Sequence, residues 1–437
     1  MEMLEQDKKS RVMYKHHRMN KTLVICVAVG LLNSFYNQNK EVMLVLLCIE
    51  ILALLFCFFR NKDIEYMCLF LTFLCLSMEN PSYVGTEDFY GFKNFSFLGL
   101  NVSLWCLMPM FFKQIVGLKR IAHGTVVKFE KGVYALTIGA TFMGILTFAI
   151  NDNHIRDLGG SLSLFMHASY LYFLVAIEVF TFSQILMKNS KKICIVKDYL
   201  LCTIYSVVVV NIASLVFENY GNHGGVLIPQ VSNVSAVLTC SVLMGLYSCF
   251  SKRTKMCLAI SGLLLLYFGL RYNSSGKLLF VLALMPFMAF IVLKRNGWSA
   301  KKIILVVSII IAGLVFIGVA FPILVENSQL LSIKLNQLVS AISFWEKGWL
   351  EGMAESPKFR ITEFLNILHE LISKPYFLLF GKGYMGTITD KLELFTTLYT
   401  SVFPEWQINA GVYYSMHETL NSFLLVAGVS GCIFFLW

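Results

Sequence analysis

Charge is what this chain lacks most. Of its 437 residues only 14% are Asp, Glu, Lys or Arg, while 57% are hydrophobic and 8 are proline. A soluble globule cannot build its surface from so few polar side chains, so that class is excluded. Acidic residues are the scarcer sign, 26 against 36 basic. The resulting +10 would invite a nucleic-acid partner, but the basic residues sit in short clusters between apolar runs, which excludes that reading. No Cys-x-x-Cys occurs, and the 12 cysteines lie mostly inside apolar runs, with none between Cys257 and Cys432. A disulfide framework and a cysteine metal or redox centre are thereby excluded. A nucleotide-type phosphate loop, H-E-x-x-H, G-x-S-x-G and D-x-D are also missing. The last absence speaks against a metal-bound nucleotide-sugar transferase. Residues 1–21 are basic but no small-residue cleavage signature follows, so they read as a retained cytoplasmic tail.

What is there is a succession of apolar runs between polar breaks. They predict an all-α, polytopic integral membrane protein with about 12 transmembrane helices. The spans fall near 22–36, 41–59, 64–78, 97–116, 133–150, 164–187, 199–217, 231–250, 256–270, 278–293, 303–325 and 417–437. The chain therefore divides into the tail, a bundle of about eleven helices over 22–325, a large polar loop over 326–416, and a C-terminal helix over 417–437. With the tail cytoplasmic, 24 of the 36 basic residues fall on the tail's side of the membrane and five on the opposite short connections. That asymmetry places the large loop, with its remaining cations, outside. Nucleotides are not expected there.

Two outer cations sit at unusual depth. Between Lys255 and Arg271, and between Lys277 and Lys294, there are too few residues to cross a ~30 Å hydrocarbon core at ~1.5 Å each. Arg271 and Lys277, with Ser274, Ser275 and Gly276, are thus expected below the outer surface. There they either snorkel to headgroups or line a wet, anion-accepting cavity. Glu50 and Glu178 lie inside spans and are expected to face the bundle interior.

The polar loop carries the most informative stretch. After Ser356, an N-cap candidate, and Pro357, suited to a first helical position, the apolar residues Ile361, Phe364, Leu365, Leu368, Leu371 and Ile372 recur at helical spacing up to Pro375. Arg360 then stands in the first turn, where backbone N–H groups already favour an anion and a guanidinium adds a bidentate phosphate donor. A turn follows at Gly381-Lys382-Gly383, and His417 opens the last apolar run, with Asn421 one helical turn further on. A second amphipathic helix, over 330–349, would lie in the interface with Trp345 and Trp349 as anchors. Those two and Trp406 could also stack on sugars.

In their order, Arg360 and Phe364, Pro375, Gly381 and Gly383, then His417 ahead of Gly428 and Gly431 resemble the bacterial O-antigen polymerase and ligase superfamily. The matching stretch runs from Arg360 to Trp437. It departs from the family at Glu418, where an Asn often follows the His. The resemblance implies a membrane glycosyltransferase in the bacterial cytoplasmic membrane, N-terminus cytoplasmic, that polymerises undecaprenyl-pyrophosphate-linked oligosaccharide repeats with inversion, using no metal or cofactor. His417 and Arg360 would be catalytic; Arg271, Lys277 and Lys382 would hold the pyrophosphate; Asn421 would orient the imidazole. Membrane lipids and a chain-length-regulating membrane protein are the implied partners. An O-antigen ligase acting on lipid A core shares this chemistry. A lipid-linked oligosaccharide flippase is the rival of another class, and would depend on Glu50 and Glu178.

Overall fold

The computed structural model describes residues 21–36, 39–76, 91–92, 95–98, 100–117, 125–150, 162–188, 193–217, 220–223, 226–229, 250–272, 299, 304, 308, 355–391, 395, 403, 405–414, 416 and 419–436. The protein is mostly helical over these residues, and four of its helices are long and apolar enough to cross a membrane. Those described residues belong to two compact units, one within Met1–Phe95 and Asn189–Lys334, the other within Ser96–Lys188 and Leu335–Trp437. Of the twelve expected spans, 231–250, 278–293 and 303–325 lie almost wholly outside the described residues, as does the 330–349 stripe.

The first unit contains α1 (Lys21–Tyr36), α2 (Lys40–Phe59), α3 (Asp63–Leu76), α7 (Ile193–Val216) and α8 (Lys252–Tyr272), with a hairpin of β3 (Tyr220–His223) and β4 (Val226–Pro229). The centre of this unit is α7, with Leu201, Ile204, Val207 and Val210 buried against Leu76 of α3 and Leu258 and Leu265 of α8. Two polar contacts inside it cross between helices. Thr72 and Thr203 hydroxyls meet at 3.2 Å, and Ser206 Oγ donates to Cys26 O at 2.6 Å. Gly30 makes that last approach feasible, since a Cβ there would press on Ser206 and Val210.

α2 is apolar on both faces. Val45, Ile49, Leu52 and Phe56 are exposed while Glu50 is buried. The inner face is otherwise apolar, with Met43, Leu47, Leu54 and Cys57, so an apolar outer face around a single buried carboxyl is what lipid selects. Asn33 Nδ2 donates to Glu50 Oε1 at 2.9 Å, joining α1 to α2. Removing the donor leaves a buried carboxyl short of a partner, so Asn33→Leu is expected to cost about 1–3 kcal/mol. Glu50→Gln keeps an acceptor there and should stay within about 1 kcal/mol of wild type. Unfolding in detergent checks both; equal stability of all three proteins would remove this pair from the account.

The second unit contains a short hairpin of β1 (Ser96–Phe97) and β2 (Leu100–Asn101), then α4 (Val102–Val116), α5 (Thr125–Ala149) and α6 (Leu162–Lys188). The expected span from 97 starts as helix only at 102, because Asn101 caps it: its Oδ1 accepts from Ser103 N at 2.9 Å. Ser103 Oγ and Tyr170 OH, 2.6 Å apart, fasten α4 to α6 at one end, and Lys188 Nζ donates to Gln114 Oε1 at 2.9 Å at the other. The unit is completed by α9 (Glu355–Ile372), α10 (Pro375–Phe380), β5 (Ile388–Thr389), α11 (Glu405–Ala410), β6 (Val412–Tyr413) and α12 (Thr419–Leu436), with β5 and β6 antiparallel.

Candidate functional site

α9 forms where the spacing predicts a helix but starts at Glu355, so Ser356 lies inside it and is not its N-cap, and Arg360 stands in the second turn and not the first. It ends at Ile372, ahead of Pro375 as expected, and Pro375 is also the first residue of α10. The buried side of α9 is mixed, with Phe359, Ile367 and Leu371 in the core beside polar residues. Thr362, Glu363 and Asn366 are wholly buried, whereas Ile361, Phe364 and, at 61%, Ile372 are exposed. Beyond the bend, Tyr376, Leu379 and Phe380 of α10 extend the exposed apolar surface. A helix that keeps polar groups buried and exposes apolar ones is adapted to lipid contact.

The buried side of α9 packs on an aromatic cluster. Phe359 lies 5.6 Å from Phe395 and 5.5 Å from Phe403, and Tyr413 closes the group at 4.5 Å from Phe403. Burial, with Asp390 adding to it, pushes the Tyr413 phenol above its usual range, so it stays neutral and is no proton acceptor at physiological pH. Asp390 itself organises the chain after β5: it accepts from Asn366 Nδ2 at 3.1 Å and from Phe395 N at 2.6 Å.

The turn at 381–386 is more than a connection. Gly381 and Gly383 both have positive φ, and the segment is lodged between α5 and α12. Its N–H groups bond outward: Lys382 N to Leu425 O at 2.8 Å, Gly383 N to Val426 O at 3.0 Å, and Tyr384 N to Ala140 O at 3.1 Å. Thr147 Oγ1 donates to Lys382 O at 2.9 Å. α12 is broken at Gly428, which has φ 63°, so the carbonyls freed by the break are met by the loop. Tyr384 fills the space against Phe165, Tyr172 and Phe173 of α6.

Arg360 and Asn421 come together, though not as expected. Asn421 Nδ2 donates to Arg360 O at 3.2 Å and to Glu363 Oε2 at 2.6 Å. The amide is thus committed to α9, fastening the turn that bears Arg360 to the first turns of α12. No protein-family model, curated protein or solved structure matches this chain. Of the remaining candidates, His417 and Lys277 lie outside the described residues. Arg271 falls in the last turn of α8, in the other unit. Lys382 is 0% exposed, with Nζ 2.9 Å from Glu370 Oε1 and 2.9 Å from Thr387 O. Its charge is answered within the protein. Trp406 is 43% exposed, its ring 5.8 Å from Tyr414 at 30°.

Sequence reading passed over Glu363, Glu370, Gly144 and Thr147. The first could have been found as the carboxylate one turn after Arg360 on the same helix face. Gly144 gave no signal, since its importance lies in a backbone contact with Tyr384, distant in sequence.

Proposed function

We propose that this chain is a glycosyltransferase of the bacterial cytoplasmic membrane that polymerises undecaprenyl-pyrophosphate-linked oligosaccharide repeats on the membrane's outer side. About twelve spans and a cytoplasmic N-terminus belong to this reading. The observation that carries it is the tie between Asn421 and the Arg360 turn, which joins two parts of the sequence pattern separated by 61 residues. The outward apolar face of α9 supports it too, because a helix seated in lipid holds its guanidinium at the depth of a lipid-borne pyrophosphate.

The reaction is a single displacement. A hydroxyl oxygen of the acceptor sugar attacks the anomeric carbon of the donor, the carbon–oxygen bond to pyrophosphate breaks, and the configuration inverts. The bonding electrons leave with undecaprenyl pyrophosphate, whose charge Arg360 stabilises through a planar fork matched to phosphate oxygens. The acceptor proton passes to the His417 imidazole, whose ordinary pKa suits a base near neutrality.

The test is polymer formation by purified protein from lipid-linked repeats in detergent, where no membrane remains to be crossed. A ladder of lengthening glycan is the expected product. A folded, monodisperse preparation that leaves native donor and acceptor unchanged would overturn the reading.

A further inference from the structure

Two polar grips tie α9 to α12 and to the loop lodged against it. At one, Asn421 of α12 grips the Arg360 carbonyl and the Glu363 carboxylate. At the other, ten residues along the same helix, Glu370 receives the Lys382 ammonium. Lys382 belongs to the loop whose backbone is bonded to α12 at Leu425 and whose carbonyl is bonded to Thr147 of α5. The two grips therefore run from one helix to the same supporting body.

A lysine that binds a lipid's pyrophosphate must present its ammonium to the outside. This one is enclosed, with two of its three N–H donors directed at Glu370 and Thr387 and the Phe377 ring 5.8 Å away. Glu370, by contrast, keeps 16% of its side chain exposed. We propose that Lys382 and Glu370 are positioning residues: by cancelling each other's charge inside the protein they let the helix carrying Arg360 keep its place, and they make no contact with the donor. The inference rests on the reading of Arg360 as the pyrophosphate-binding group.

Charge logic separates positioning from contact. Removing one member of an enclosed pair strands the other, whereas neutralising both removes the penalty. Lys382→Met and Glu370→Gln should each lower kcat by about 10²-fold, the scale of a catalytic group displaced by roughly 1 Å. The double variant K382M/E370Q should recover to within about tenfold of wild type. Direct contact with the donor predicts otherwise: Glu370→Gln would keep full activity, and the double variant would be as poor as Lys382→Met.

The measurement is polymer formation by purified full-length variants, at a temperature where each is shown to be folded by its unfolding curve. Comparison on folded protein keeps lost stability from passing as lost positioning. An unchanged kcat in folded Lys382→Met with a lower unfolding temperature would make the pair structural only and overturn the proposal. So would a double variant that fails to recover. Should Lys382→Met not fold, the contrast between Glu370→Gln and the double variant decides alone. Wild-type protein that makes no polymer would overturn the reading of Arg360 itself, and the positioning role with it; failure confined to the double variant would overturn only the role of the pair.

Discussion

Gly383→Ala is expected to abolish the folded protein. Its φ of +75° lies where L side chains are strained, and a Cβ there would overlap Gly144 N of α5 and meet Ala140 O at 2.5 Å. Neither contact can give by rotating a side chain, because both are backbone within a helix. The loop cannot withdraw without giving up its bonds to Leu425 and Val426, which would expose the carbonyls freed at the Gly428 break. Overlap, strain and lost backbone bonds act together, so a cost above about 4 kcal/mol is expected, enough to unfold a marginal domain. Gly139→Ala is the matched control: it lies on the same helix as Gly144, and a Cβ there meets nothing within 4 Å. That variant should fold as wild type, or slightly better because alanine favours helix. Yield and size-exclusion profile in detergent read the difference. A monodisperse Gly383→Ala protein at wild-type yield would mean that the loop does not sit between α5 and α12.

Membrane character was legible in the sequence because it is set by composition and run length, both local quantities. α2, α5, α6 and α7 are helical where the apolar runs predicted them. That a helix carries Arg360 was likewise legible from Pro357 and the apolar spacing; the first-turn position was not, because the helix begins before Ser356. Which side of that helix is buried was not. Periodicity separates a polar from an apolar stripe, but whether the apolar stripe meets protein or lipid depends on what lies around it. Thr362, Glu363 and Asn366 are buried because Asn421, Asp390 and the aromatic cluster occupy that side. For Lys382 the sequence offered a cation between two glycines, which is equally the pattern of an exposed turn. Its enclosure follows from Glu370 and from a bed made by α5 and α12, contributed by segments far apart in the chain. Pro375 was read as a terminator, when the fixed φ that ends one helix also suits the first residue of the next.

His417→Ala should lower the rate of polymer formation by roughly 10²–10⁴-fold, the usual worth of a positioned base. The loss should fall on kcat. Donor affinity should survive, since in the proposed mechanism the guanidinium of Arg360 would hold pyrophosphate independently of the imidazole; Arg360→Lys, which keeps the charge but loses the planar fork, should instead weaken donor binding and turnover together. A carrier predicts another pattern. Transport of a lipid-linked glycan driven by protons would depend on carboxylates inside the spans, and Glu50→Gln would then be the damaging change while His417→Ala stayed nearly silent. The observed setting of Glu50 argues for the first pattern, because its carboxyl is occupied by Asn33 in a bond that joins two helices, a structural use that glutamine can serve. Glu50→Gln is therefore expected to retain polymer formation in detergent, where His417→Ala does not. The opposite pair of results, activity kept by His417→Ala and lost by Glu50→Gln, would sink the glycosyltransferase and leave a carrier in its place.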